Sequence, residues 1–199
     1  MAVLEQRNHL GKARTGRAAP HCRVLFLTLT VILTLELDAT ETKGKLTREY
    51  DLKAAFLFNF AHFVDWPPTA FADTNTPITI GVLGEDPFGA VLDQIVEGET
   101  VKNRKLVVKR SQRVEDLKSC HVLFVSKSEK AHVTQILDAL DDASIFTVGE
   151  VEGFARRGGV TNFFLQGNKV RFEINAQSAK RKGLHISAQL LELGTEVGN

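Results

Sequence analysis

The sequence has few cysteines, which limits the covalent and metal chemistry that it supports. Among its 199 residues there are two cysteines, Cys22 and Cys120. Cys22 precedes an apolar run near the amino terminus and would be removed with a signal peptide, so Cys120 would have no intrachain disulfide partner. We expect Cys120 to be a small buried apolar residue at the start of a strand. The alternative is a thiol that forms an intermolecular disulfide.

The sequence also lacks an excess of charge of either sign. Lys and Arg total 25, against 24 Asp and Glu. Five of these cations and three of these acids precede residue 40, which leaves 20 cations and 21 anions in the rest of the chain. Such a balance gives no electrostatic surface for nucleic acid or for an anionic membrane. We therefore expect no nucleic-acid partner.

Motifs typical of catalysis or cofactor binding are missing as well. The segment from Gly81 to Gly89 lies where a Rossmann-type fold holds a pyrophosphate, but its spacing is not G-x-G-x-x-G. The four histidines beyond residue 39 are scattered, with no pair at ligand spacing. Cys120 and His121 are neighbours whose side chains would point to opposite faces of a strand. We expect no enzyme activity, no cofactor and no metal site.

Long hydrophobic runs are absent, and the longest apolar run covers the twelve residues 24–35. This is too short to span a bilayer, which takes about 20 residues. The run follows a basic stretch and precedes Glu36, Asp38 and Ala39, an order typical of a secretory signal peptide. We predict a signal peptide over residues 1–39, followed by one exported domain over 40–199. The alternatives are an uncleaved membrane anchor and a buried helix.

Periodic patterns predict strands that alternate with helices. Apolar residues at steps of three and four predict a helix over 48–64, which Trp66-Pro67-Pro68 ends. Asp86 is expected to cap a helix that begins at Pro87, and Ser128 is expected to cap another. The predicted strands cover residues 77–83, 105–110, 121–125 and 144–148. This order favours an α/β fold, with a Rossmann-like, mostly parallel sheet covered by helices.

The pattern changes after residue 158 and predicts a C-terminal antiparallel hairpin. Gly158-Gly159 precedes two apolar runs, 160–166 and 169–174, which Gly167-Asn168 joins. We expect the glycine pair to need a backbone with positive φ. Asn175 should cap a helix that ends near Arg181, and a last helix is predicted over 187–193.

Two groups of residues are candidates for partner binding. Phe58 cannot share a helix face with Phe56, so Phe58 and Trp66 are candidates for an aromatic contact surface, with the core as the alternative. Arg171 and Glu173 alternate with apolar residues on one strand. They form either a solvated sheet face with a cross-strand ion pair or a polar binding face.

Six segments, in this order, resemble the successive signatures of the YfiR-like family. They are AAFLFNFAHFVDWP (54–67), VLGEDPFG (82–89), CHVLFVS (120–126), GFARRGG (153–159), VRFEIN (170–175) and GLHISAQLLEL (183–193). The resemblance covers nearly all of residues 50–193. It implies a periplasmic regulator with a Rossmann-like α/β fold and no catalytic residues.

The resemblance also implies partners. It implies that the protein restrains an inner-membrane diguanylate cyclase of the YfiN type by engaging its periplasmic part, and so lowers cyclic di-GMP signalling. It further implies a YfiB-like outer-membrane lipoprotein that relieves the restraint, and a homodimer. Cys120 matches one family cysteine whose expected partners are missing, so disulfide control is not expected. The alternative function is a periplasmic small-molecule sensor that works with a histidine kinase or another membrane receptor, with its pocket near Gly84 and Ser126.

Overall fold

A computed structural model of the chain describes residue 44 and residues 46–198. The predicted signal peptide, residues 1–39, lies outside the described residues. In the part that is described, no helix is long and apolar enough to cross a membrane.

The described residues alternate between strands and helices, as the sequence predicts. The helices are α1 (46–63), α2 (Ala90–Val96), α3 (Val133–Ala139), α4 (Ala176–Arg181) and α5 (Ala188–Leu193). The strands are β1 (Val64–Asp65), β2 (Ile78–Leu83), β3 (Thr100–Val101), β4 (Arg104–Ser111), β5 (Val122–Val125), β6 (Phe146–Gly149), β7 (Thr161–Gln166), β8 (Lys169–Ile174), β9 (His185–Ile186) and β10 (Thr195–Glu196). The four predicted strands of the α/β part and both strands of the hairpin are therefore present.

Eight of these strands form one mixed sheet in the order β10-β8-β7-β6-β5-β2-β4-β3. Strands β4, β2, β5, β6 and β7 run parallel to one another. β8 is antiparallel to β7 and forms the hairpin with it, and β3 is antiparallel to β4. The predicted fold class, a mostly parallel Rossmann-like sheet with a C-terminal antiparallel hairpin, is confirmed.

Helices cover both faces of the sheet, and this explains why its central strands are apolar throughout. In β5, Val122 and Phe124 belong to the core cluster that contains α1 and α2. Leu123 and Val125 face the other way, into the cluster that contains α3. All four residues of β5 are buried.

Phe60 of α1 lies at the centre of the larger cluster and is fully buried. Its ring centroid is 5.2 Å from that of Phe146, 5.8 Å from that of Phe163 and 5.4 Å from that of Phe172. These contacts join α1 to β6 and to both strands of the hairpin. Aromatic pairs at such distances contribute about 0.5–1.5 kcal/mol each beyond the area that they bury.

Two predicted helix starts are wrong. Helix α2 begins at Ala90, with Gly89 at its N-cap, and not at Pro87. Asp86 instead accepts from the Phe88 N–H at 2.8 Å and from Arg110 Nε at 2.6 Å, so its carboxylate is held in the preceding turn. Likewise Ser126, rather than Ser128, caps the 3-10 helix that precedes α3.

The glycine pair before the hairpin has two separate roles. Gly158 has φ of 104°, the left-handed geometry that the sequence predicts for this pair. Gly159 has no positive φ, and the prediction is wrong for it. A Cβ at Gly159 would lie 2.2 Å from the ring of Phe154, so close packing requires glycine there. Asn175 caps α4 as predicted, because its side chain accepts from the Ser178 N–H at 2.9 Å.

Candidate functional site

A groove of about 520 Å³ opens where the parallel strands end at their carboxyl edge. β6 stops at Gly149 and pairs with β7 only at Thr161 and Asn162. β7 continues beyond this point, paired with β8 alone among the described strands. The first turns of α1 and the loop after β6 enclose the space beside the extended part of β7. Carboxyl edges of open α/β sheets are the usual place for ligands and partners.

A buried ion cluster forms one wall of the groove. Lys53 Nζ, on α1, lies 2.7 Å from Glu150 Oε2 and 2.5 Å from Glu49 Oε1. The side chain of Lys53 is only 3% exposed and that of Glu150 only 1%. Buried charges carry a desolvation cost that close pairing must offset, so each of these groups depends on the other.

Tyr50 and Lys127 complete the shell around the Glu150 carboxylate. The Tyr50 hydroxyl donates to Glu150 Oε2 at 3.1 Å. Burial raises the pKa of Tyr50 above its ordinary value, and the nearby Glu150 carboxylate raises it further. The phenol therefore stays protonated and remains a hydrogen-bond donor. The Lys127 backbone N–H donates to Glu150 Oε1 at 3.3 Å. Lys53 Nζ also lies 4.5 Å from the centre of the Tyr50 ring, a cation–π contact.

Asn162 of β7 brings an unpaired acceptor to the same groove. The residue is 3% exposed, and its Oδ1 has no hydrogen-bond partner among the described residues. A buried polar atom without a partner costs about 1–3 kcal/mol. In the register of the hairpin Asn162 lies opposite Glu173. Asn162 therefore carries an unmet hydrogen-bonding requirement beside the groove.

The rim of the groove is charged and partly apolar. Arg156 Nη2 lies 3.6 Å from Glu173 Oε1 and is 64% exposed. Glu152 is exposed and has no ion pair among the described residues. Leu165 of β7 is 47% exposed. Among the described residues, the lining therefore includes a carboxylate without an ion pair and an exposed apolar side chain.

The four candidate residues from the sequence do not lie together. Glu173 lines the groove, and its ion partner is Arg156 of the preceding loop rather than a residue across the strand. Arg171 is exposed on the same strand of the hairpin. Phe58 is half-buried on α1, with its ring 4.8 Å from that of His62.

Trp66 belongs to the core, which corrects its interpretation as part of an exposed contact surface. Its side chain is in the larger core cluster and the residue is only 9% exposed. The indole Nε1–H donates to the His121 carbonyl oxygen at 3.1 Å. Trp66 follows β1, which continues from α1 and pairs with β9, so these elements position it against the core.

Sequence reasoning missed Lys53, Glu150 and Asn162. Lys53 could have been found from its position in the helical repeat, because it lies on the same helix face as the buried residues Leu57 and Phe60. Glu150 comes directly after a fully buried strand, where a side chain reaches the carboxyl edge of the sheet. Nothing in the sequence pairs these two residues, which are 97 positions apart.

Cys120 and His121 lie at the opposite, amino edge of the sheet. Cys120 is buried as predicted, and burial raises the pKa of its thiol to about 11. His121 accepts from the Thr79 N–H at Nδ1 and stacks on Phe71 with ring centres 4.5 Å apart. Cys120 packs into the α3 cluster and His121 against Trp66, so the two do not form a nucleophile and base. Across the residues that the structure describes, no group of His, Cys, Asp and Glu could hold a metal ion.

Fold and groove together define the class: a Rossmann-like α/β domain with a polar groove at the carboxyl edge of its sheet. Residues 50–195 match the family model described as YfiR/HmsC-like. The chain therefore belongs to the YfiR/HmsC-like family, a family of signalling regulators, and the resemblance seen in the sequence is confirmed.

Solved structures give a more distant comparison. A conserved domain protein from Vibrio cholerae O1 biovar El Tor is 14% identical, with a TM-score of 0.44 over 61% of this chain and 55% of that one. An ABC domain in complex with L-Trp from Streptococcus pneumoniae is 10% identical, with a TM-score of 0.44 over 60% of this chain and 54% of that one. The chain thus aligns with little more than half of either structure. No curated protein sequence matches it.

Proposed function

We propose that this protein is exported to the periplasm, where it binds the periplasmic part of an inner-membrane diguanylate cyclase and restrains it. The observation that carries this proposal is the family match over residues 50–195. The protein would act by binding and without catalysis, and so lower cyclic di-GMP synthesis. A YfiB-like lipoprotein that relieves the restraint, and a homodimer, belong to the same proposal.

The geometry of the groove supports a binding role. The charged groups of its buried wall are held by partners within the fold: Lys53 by two carboxylates, and Glu150 by Lys53, Tyr50 and the Lys127 N–H. Such a preorganised surface loses little conformational freedom when a partner docks.

The test combines a cellular and a biochemical measurement. Deletion of the gene should raise cellular cyclic di-GMP, and the wild-type gene should restore it. The purified periplasmic domain of the cyclase should bind the wild-type protein. Arg156→Ala, at the groove rim, should weaken this binding, whereas Lys105→Ala, at the far edge of the sheet, should not. Unchanged cyclic di-GMP on deletion together with no binding would exclude the proposed function.

A second candidate is a small-molecule sensor. The sequence places its pocket near Gly84 and Ser126, neither of which lines the groove, but two features of the groove itself favour this role. Its volume of about 520 Å³ lies within the range of about 300–1,000 Å³ common for ligand sites. Asn162 Oδ1 offers a buried, unpaired acceptor there. Mass spectrometry of protein purified natively from periplasm would find a bound metabolite that Asn162→Leu loses. Its absence from the wild type would leave the sensor role without support.

A further inference from the structure

The part of β7 that borders the groove is an open strand edge. Beyond Asn162, residues 163–166 have a strand neighbour only in β8 among the described residues. At about 3.3 Å per residue this edge is about 13 Å long. An unpaired strand edge is a template for another strand, and natural proteins usually protect it.

The register of the hairpin shows which backbone groups face the groove. The Asn175 N–H donates to the Val160 carbonyl at 2.8 Å, and hydrogen-bonded pairs recur at every second residue of an antiparallel ladder. Asn162, Phe164 and Gln166 therefore bond to β8. The N–H and C=O groups of the residues between them, Phe163 and Leu165, point away from β8, to the side on which β6 pairs with Thr161. Both residues line the groove, where Leu165 is 47% exposed and Phe163 2%.

Another open edge of the sheet is protected by charge, whereas this one is not. On β4, which β3 covers only at Arg104 and Lys105, the uncovered part carries Lys109 and Arg110. Charged side chains of this kind discourage strand pairing. Residues 163–166 are Phe, Phe, Leu and Gln, with no charge, proline or glycine. The contrast within one sheet marks this part of β7 as an edge that is left available.

The chemistry of the groove defines what would pair with this edge. Its lining contains four glutamates, two lysines and one arginine, a net charge of −1. Three of the glutamates are engaged by these cations, and the fourth, Glu152, is exposed without an ion pair among the described residues. Leu165 adds an exposed apolar side chain.

We propose that β7 recruits its partner by strand addition: residues 163–166 take up an extended segment of about four residues. This segment carries a Lys or Arg opposite Glu152 and an apolar residue against Leu165. It bonds through its own backbone to the N–H and C=O groups of Phe163 and Leu165, which gives affinity, while its side chains give specificity. The inference rests on the proposed function, since the segment belongs to the periplasmic domain of the cyclase.

The decisive variant is Leu165→Pro, which removes an N–H that faces the groove and leaves the bonds to β8 in place. Binding of the cyclase periplasmic domain should weaken about tenfold, since one backbone bond is lost and the new ring crowds the added strand. The matched control is Leu165→Ala, which keeps the N–H and should weaken binding about threefold or less. Glu152→Gln should reduce binding and its salt dependence.

A measurement on the wild type makes the test independent of how the proline variant folds. On addition of the cyclase domain, hydrogen exchange at the amides of Phe163 and Leu165 should slow at least tenfold. If the domain binds but these amides stay unprotected and Leu165→Pro binds normally, strand addition is refuted while the proposed function stands. If the cyclase domain does not bind the wild-type protein, both the proposed function and the proposed pairing of its segment with β7 are refuted. A copurifying small molecule that Leu165→Pro retains, with no protection at these amides, identifies the groove as a ligand pocket and overturns the inference.

Discussion

The buried ion cluster makes a sharp prediction about stability, with Glu150→Ala as the perturbation. This change leaves Lys53 Nζ buried, with its 2.7 Å partner gone and the Tyr50 hydroxyl without an acceptor. Removal of one partner of a buried pair costs about 3–5 kcal/mol. Glu49 still lies 2.5 Å from Lys53 and its side chain is 11% exposed, so we expect the lower end, about 3 kcal/mol. In a domain of this size that lowers Tm by roughly 6–12 °C.

Thermal and urea unfolding at neutral pH, followed by circular dichroism, measure this loss. Glu152→Ala is the matched control, because Glu152 lies two residues away but is exposed, and its removal should change stability by no more than about 0.5 kcal/mol. Lys53→Met combined with Glu150→Gln should cost less than the sum of the single changes, with a coupling of at least about 1 kcal/mol. A loss below about 1 kcal/mol for Glu150→Ala, or strict additivity, would falsify the account of a mutually dependent pair.

Three further predictions concern the core, a turn and pH. Trp66→Ala should cost about 3–5 kcal/mol of folding free energy, seen in urea unfolding, and an unchanged midpoint would place Trp66 outside the core. Gly159→Val should lower stability by roughly 1–3 kcal/mol or more, because its Cβ would overlap Phe154, and normal melting would show that the ring moves aside. Burial lowers the pKa of His121, so the unfolded chain binds a proton that the folded chain resists. Stability should therefore fall as pH drops below the ordinary histidine value of about 6.5, and His121→Asn should flatten that part of the curve; an equal slope in both proteins would assign the effect to another group.

The secondary structure followed from local patterns in the sequence. Apolar residues at steps of three and four predicted α1. Of that pattern Phe60 is fully buried, whereas Leu52 is 45% exposed, so the helix was predicted more accurately than its buried face. The Gly167-Asn168 turn between two apolar runs predicted the hairpin. Helix starts were less accurate, since a capping side chain such as that of Asp86 can be taken by a distant residue, here Arg110.

The candidate site was only partly predictable, because it depends on contacts between distant parts of the chain. Alternation along one strand identified Glu173 as a polar candidate, but it could not show that Arg156 would be its partner. The sequence left Trp66 as either a surface aromatic or a core residue, and only the tertiary structure placed it in the core against His121.

The sequence by itself determined the family, the order of strands and helices, and the hairpin, since each rests on residues close together in the chain. Only the tertiary structure brought Lys53 to Glu150, because sheet order and helix packing decide which distant side chains meet. The tertiary structure was also needed to show that residues 163–166 have an open edge, since this depends on where the neighbouring strand β6 stops. Strand ends are set by pairing across the sheet, so the sequence of β7 does not predict where β6 ends.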